Sequence, residues 1–102
     1  MDAGDMGRDL EKVLLTEDQI DARLTELAAL IDRDYQGIDL LLVGVLNGAV
    51  MAMADLARKL HNRAQMDWMA VSSYGSGTRS SGVVRILKDL GTDIQDRHVL
   101  IV

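Results

Sequence analysis

The 102 residues include no cysteine, no proline and no phenylalanine. Without cysteine there is no disulfide and no thiol chemistry, which agrees with a reducing compartment. One tryptophan and two tyrosines make up all the aromatics. Leucine, valine, isoleucine, alanine and the six methionines must therefore build the core, and methionine packs adaptably. No run approaches the ~18 consecutive apolar residues of a membrane span. The opening MDAGDMGRDLEK is polar and acidic, unlike a secretion signal. No internal repeat or proline-rich linker divides the chain, and a soluble, cytoplasmic protein is the expectation.

What is present is a chain of single-domain size, 48% hydrophobic, with enough apolar content to bury a core. The net charge of −5 does not suit a nucleic-acid partner. Its distribution is uneven: residues 1–40 carry eleven acids and four bases, residues 41–102 five acids and seven bases. A mildly cationic second part suits a small anionic ligand, and a solvated acidic first helix accounts for the difference equally well.

Residues 1–12 read as a flexible lead-in. TEDQ, from Thr16, fits a capping box, with Leu15 and Ile20 as a hydrophobic staple. Ile20, Leu24, Leu27 and Ile31 recur at helical spacing, predicting an amphipathic helix to about Tyr35, closed by Gly37. Asp39 to Leu46 is apolar almost throughout, as in a central parallel strand covered on both faces. Ala49 to Leu60 reads as a helix with Met53, Leu56, Ala57 and Leu60 inward. Strands are expected over Met66 to Ser73, Val83 to Lys88 and His98 to Val102, the last as a buried strand.

Three stretches bear on chemistry. VGVLNGAV breaks a buried strand at Asn47 and Gly48 and enters a helix at once, which exposes amides that suit phosphate oxygens. Taken alone, it is equally a tight glycine turn, the more ordinary reading. SSYGSGTRSSG, Ser72 to Gly82, has five serines, three glycines and one aromatic. It reads as a flexible lid able to exclude water, or as a long hairpin loop with no role. The third is RHVLIV at the end, because ligands of open α/β sheets sit just past the carboxyl ends of strands. His61 and His98 lack companions at metal-ligand spacing and read as surface or strand-edge groups. Trp68 reads as core, Arg85 and Lys88 as solvated charges, and Arg79 as a loop charge able to meet a phosphate.

Together LLLVGVLNGAVMAMADLARKL, MDWMAVSSYGSGTRSSGVVRILKDL and RHVLIV resemble the amino-terminal half of bacterial hypoxanthine-guanine phosphoribosyltransferases, the actinobacterial ones most. The likeness runs from about Val13 to Val102. It implies an α/β fold of the type I phosphoribosyltransferase kind, a parallel sheet flanked by helices and incomplete at the C-terminus, with residues 13–102 as a partial domain. It implies purine salvage with Mg²⁺: a 5-phosphoribosyl group passes from phosphoribosyl pyrophosphate to a 6-oxopurine, hypoxanthine or guanine, giving IMP or GMP and pyrophosphate. It further implies that Leu46, Asn47 and Gly48 hold pyrophosphate through backbone amides, often with a non-proline cis bond at the first peptide. Ser73, Tyr74 and Gly75 then begin the flexible lid loop, and the full-length enzyme is a homo-oligomer.

Two departures from the family pattern stand out. Asn47 replaces the usual lysine, removing a positive charge beside the pyrophosphate. The acidic Glu-Asp-x-x-Asp-x-Gly-x-Thr signature, expected immediately after Val102, is absent, and with it the ribose-binding carboxylates and the proposed general base. These 102 residues alone are accordingly expected to be inactive, with no catalytic or metal-ligating residue among them. The reading from another class is a noncatalytic interaction fragment, associating through an open sheet edge or with a complementing carboxyl-terminal half. An RNA-binding regulator fits the acidic balance least.

Overall fold

The computed structural model describes residues 1–74 and 83–102. Residues 1–12 hold a one-turn helix, α1 (Ala3–Met6), capped by Asp2 and Asp5, and a 3-10 turn, with no buried residue in either. Helix α2 spans Glu17–Asp34. Its capping box forms as the sequence implies: the Gln19 amide donates to Thr16 Oγ1 at 3.1 Å and the Thr16 amide to Gln19 Oε1 at 2.9 Å. The two staple residues, Leu15 and Ile20, remain exposed.

Strand β1 (Leu40–Leu46) is followed by α3 (Val50–Lys59), β2 (Ala64–Tyr74), β3 (Val83–Lys88) and β4 (His98–Ile101). The sheet order is β3-β2-β1-β4. β1 runs parallel to both β2 and β4, whereas β2 and β3 are antiparallel, with a register shift at Ala70/Val71. The sheet is therefore mixed rather than wholly parallel, as the eight residues separating β2 from β3 are fewer than the dozen or so that a parallel crossover needs.

β1 is the centre of the core: Leu40, Leu41, Leu42 and Val43 are buried. Even-numbered residues on β1 face the helices. Leu40 and Leu42 cluster with Met53, and Ile31, Tyr35, Ala57, Leu60, Trp68, Leu100 and Val102 pack around them. Trp68 reaches the core because its β1 partner is Gly44. A Cβ on Gly44 would sit 2.5 Å from Trp68 Cζ3, so only glycine leaves room for the indole.

On the opposite face of β1, Leu41 and Val43 are buried and Val45 is partly buried. There Asp67, level with Val43, accepts the amides of Gly91 and Thr92 and draws their turn across the sheet. β4 also departs from expectation. It pairs with β1 alone among the described strands, none of its residues is buried, Val99 and Leu100 are partly covered, and Ile101 is 69% exposed.

Candidate functional site

Parallel pairing aligns the carboxyl ends of β1, β2 and β4 along one edge. Leu46 ends β1 opposite Ala70. Ser73 and Tyr74 close β2, and Tyr74 lies four residues beyond Ala70, roughly 13 Å further along the strand at ~3.3 Å per residue. On the other side Val102 adjoins β1: its amide donates to the Val43 carbonyl at 2.8 Å and its carbonyl accepts from the Val45 amide at 3.3 Å. All three stretches singled out in the sequence thus reach the same edge. The chain leaves β1 for β2 on one side and later returns to β4 on the other, and ligands of α/β sheets settle at such a reversal. Gly75, Arg79 and the remainder of the SYGSGTRSSG segment, residues 75–82, lie outside the described residues.

The turn leaving β1 is short. The Leu46–Asn47 peptide is cis, as the resemblance implies. The Ala49 amide donates to the Val45 carbonyl at 3.2 Å and the Val50 amide to the Asn47 carbonyl at 3.2 Å. The Asn47 and Gly48 amides donate to no partner among the described residues. Ala49 caps α3 without a side-chain hydrogen bond. Asn47 and Gly48 are both exposed.

Gly48 decides between the two readings of this turn. Its φ lies outside the left-handed region that favours glycine, and a Cβ built on it meets nothing within 4 Å. Neither the turn nor the packing around it demands glycine. The open space leaves the backbone approachable, with free amides at the positive end of a ten-residue helix. No lysine or arginine occurs between Leu46 and Arg58, so what this turn itself offers an anion is backbone dipoles rather than side-chain charge.

Two carboxylates that sequence reasoning passed over organise the turns elsewhere. Asp67 Oδ1 accepts from the Trp68 amide at 2.8 Å, and Oδ2 accepts from the Gly91 and Thr92 amides at 3.0 and 2.9 Å. The Trp68 amide, then the Thr92 hydroxyl and the Thr92 and Gly91 amides, hold the Asp67 carboxyl below its ordinary value of 3.8, against an opposing contribution from desolvation. Lys88, expected as a solvated charge, donates to the Trp68 carbonyl at 2.7 Å and lies 3.9 Å from Asp67 Oδ1. Arg85 likewise has an interaction partner. The signal for Asp67 was available in the sequence: one carboxylate inside the apolar MDWMAV strand calls for buried donors.

Asp32, at the end of α2, accepts from the His61 and Asn62 amides at 2.9 and 3.0 Å, and its own carbonyl accepts from Asn62 Nδ2 at 2.8 Å. His61 and His98 are both exposed, and the His98 ring meets Tyr35 edge-on at 6.1 Å. Among the described residues no three histidine, aspartate or glutamate side chains converge as metal ligands, so these residues do not by themselves fit Mg²⁺. No described helix is long and apolar enough to cross a membrane.

Comparison with known proteins identifies relatives of the chain. Residues 13–102 match the model of the phosphoribosyl transferase domain. The hypoxanthine-guanine phosphoribosyltransferase of Mycobacterium tuberculosis is 56% identical over 100 residues, covering 92% of this chain and 50% of that protein. The enzyme of the same name from Staphylococcus aureus is 46% identical over 97 residues, covering 95% of this chain and 54% of that protein. A crystal structure of a hypoxanthine phosphoribosyltransferase from Staphylococcus aureus superposes with a TM-score of 0.89 at 47% identity, covering 94% of this chain and 52% of that one. The chain spans about half the length of the relatives it matches.

Proposed function

The chain belongs to the phosphoribosyltransferase family, and from that premise we propose that it supplies the pyrophosphate-binding part of a purine-salvage transferase. The reaction forms a bond between C1 of the ribose and a ring nitrogen of hypoxanthine or guanine while the bond from C1 to pyrophosphate breaks, giving IMP or GMP. The observation that carries this reading is the turn at Leu46, Asn47 and Gly48: free amides, a helix N-terminus behind them, and a glycine that the protein's own packing does not require.

In this reading the Asn47 and Gly48 amides receive the pyrophosphate oxygens. They are fixed before the charge on the leaving group grows, and such preorganised donors favour the departing anion. Ser73, Tyr74 and Gly75 are proposed to begin the segment that covers the reacting centre. Mg²⁺ enters as the counter-ion of the substrate's phosphates, consistent with a hard cation that is usually shared with them rather than caged by protein. Ribose recognition and proton transfer fall to groups outside these residues. The phosphates of phosphoribosyl pyrophosphate keep it from crossing a bilayer, so the transfer belongs in the compartment that makes it, the cytoplasm. A homo-oligomer is the proposed assembly of the whole enzyme.

The test is a graft. Residues 13–102 replace the matching half of the Mycobacterium tuberculosis relative in one continuous chain, and formation of IMP and GMP is followed spectrophotometrically. Turnover with either purine is expected, falling at least tenfold with Gly48→Ala. A folded but inactive graft would contradict the proposal.

A further inference from the structure

Leu46, Ala70 and Lys88 stand in one row across three strands: Leu46 ends β1 opposite Ala70, and Ala70 faces Lys88 on β3. The row is a boundary. Before it, β2 has β1 beside it. Beyond it, the pairs Val71–Ile86, Ser72–Arg85, Ser73–Val84 and Tyr74–Val83 form a two-stranded ribbon that pairs with no third described strand. At the row, one step along β2 from Ala70 to Val71 spans two along β3 from Lys88 to Ile86, so Leu87 is the extra residue of a bulge. Bulges bend a strand and re-aim what lies beyond them. Val71, Ile86 and Leu87 are exposed, and a two-stranded hairpin is at best marginally stable by itself. The direction of the ribbon has to be fixed at its root.

Lys88 is built into that root. Its ammonium donates to the Trp68 carbonyl at 2.7 Å, two residues past the end of the β2–β3 ladder, and to the Asp89 carbonyl at 3.2 Å. It also lies 3.9 Å from Asp67 Oδ1, while Asp67 Oδ2 accepts the Gly91 and Thr92 amides. One side chain thus ties the last residue of β3 to β2 and to the turn behind it. We infer that Lys88 is a positioning residue: it sets the angle at which the ribbon leaves the sheet, and so where the segment opened by Ser73 and Tyr74 stands relative to the turn at Asn47 and Gly48. The inference rests on the function proposed above, in which that segment covers the reacting centre. Methionine at position 88 keeps the apolar stem but loses the polar contacts, whereas arginine keeps donors for the Trp68 carbonyl and a charge for Asp67. A misdirected ribbon admits water to the centre. Water then takes the place of the purine nitrogen at C1 as the bond to pyrophosphate breaks, giving ribose 5-phosphate and pyrophosphate and releasing a proton.

The test uses the graft of residues 13–102 into the Mycobacterium tuberculosis relative, with pyrophosphate release and IMP formation measured in the same sample. Lys88→Met should lower kcat by roughly tenfold, as a small misplacement of covering groups does, leave KM for phosphoribosyl pyrophosphate unchanged, and raise the pyrophosphate released per IMP formed severalfold. Lys88→Arg should restore most of kcat and the ratio. Lys59→Met, which removes an ion pair between α3 and Asp21 of α2, should leave all three quantities as they are. A shortage of folded enzyme lowers kcat but cannot alter the ratio, so a merely structural role shows itself as lost turnover at constant ratio. In the 102-residue chain, residual dipolar couplings of the Val71, Ser72, Arg85 and Ile86 amides should change with Lys88→Met while those of Leu40–Leu46 stay constant. Lost turnover at constant ratio, a Lys88→Met graft with wild-type kcat and ratio, no rescue by arginine, or unchanged couplings on the ribbon would each overturn the inference, and turnover by the wild-type graft would then still spare the function. A folded wild-type graft without turnover sinks both.

Discussion

The turn that leaves β1 and the turns that enter β2 and leave β3 treat their backbone amides in opposite ways. At His61–Asn62 and at Gly91–Thr92 the chain supplies its own anion, Asp32 in one case and Asp67 in the other, and each carboxylate accepts two amides of its turn. At Asn47–Gly48 no carboxylate arrives and the two amides have no partner among the described residues. Where an anion comes from within, the turn is a structural joint between elements distant in sequence. Where none is supplied, a joint of similar chemistry is available to an external anion.

Breaking the internal joints should therefore damage folding. The largest effect is expected for Asp67→Asn, which removes the charge on which three amides and Lys88 converge. Because the folded carboxyl is held below 3.8, the charged form stabilises the fold above that pH and the contribution disappears as pH falls through the lower folded value. Urea midpoints of the wild type and Asp67→Asn should be well separated at neutral pH and converge as the pH falls below 3.8. Asp32→Ala comes next, at about 2 kcal/mol for two amide bonds to a partly exposed carboxylate, read from urea curves at neutral pH.

Changing the open joint should act on ligand binding instead. Asn47→Lys places one positive charge beside the anion, worth about 1 kcal/mol at solvent-exposed range. It should tighten pyrophosphate binding by roughly fivefold in calorimetric titration, with the gain shrinking as salt is raised. An equal gain at high salt would mean that the lysine acts by something other than its charge.

Much of the fold is legible from local pattern. The Thr16–Gln19 capping box needs only four consecutive residues, and β1 declares itself by an apolar run too continuous for a half-exposed strand. Strand direction is not local. Whether β3 runs parallel or antiparallel to β2 depends on how the chain turns between them, and neither strand's residues encode it. Nor are the joints local: Asp67 meets Gly91 across 24 residues, and Asp32 meets His61 across 29. Gly44 shows the same limit. It reads as one more small residue in an apolar strand until Trp68 is placed 24 positions later against it. The candidate turn could be located from the sequence, but its openness could not, since a glycine required by a tight turn and one bordering open space look alike until φ and neighbours are known.

The central claim is that the free amides of the β1 turn receive pyrophosphate, and amide-resolved NMR tests it most directly. With pyrophosphate titrated into the 102-residue chain, the Asn47 and Gly48 amide resonances should shift saturably, and Gly48→Ala should reduce the affinity while altering stability by less than about 0.5 kcal/mol. The Asp-bound amides of His61, Asn62, Gly91 and Thr92 should stay in place throughout. Shifts spread equally over both sets of turns, or none at Asn47 and Gly48, would contradict the account.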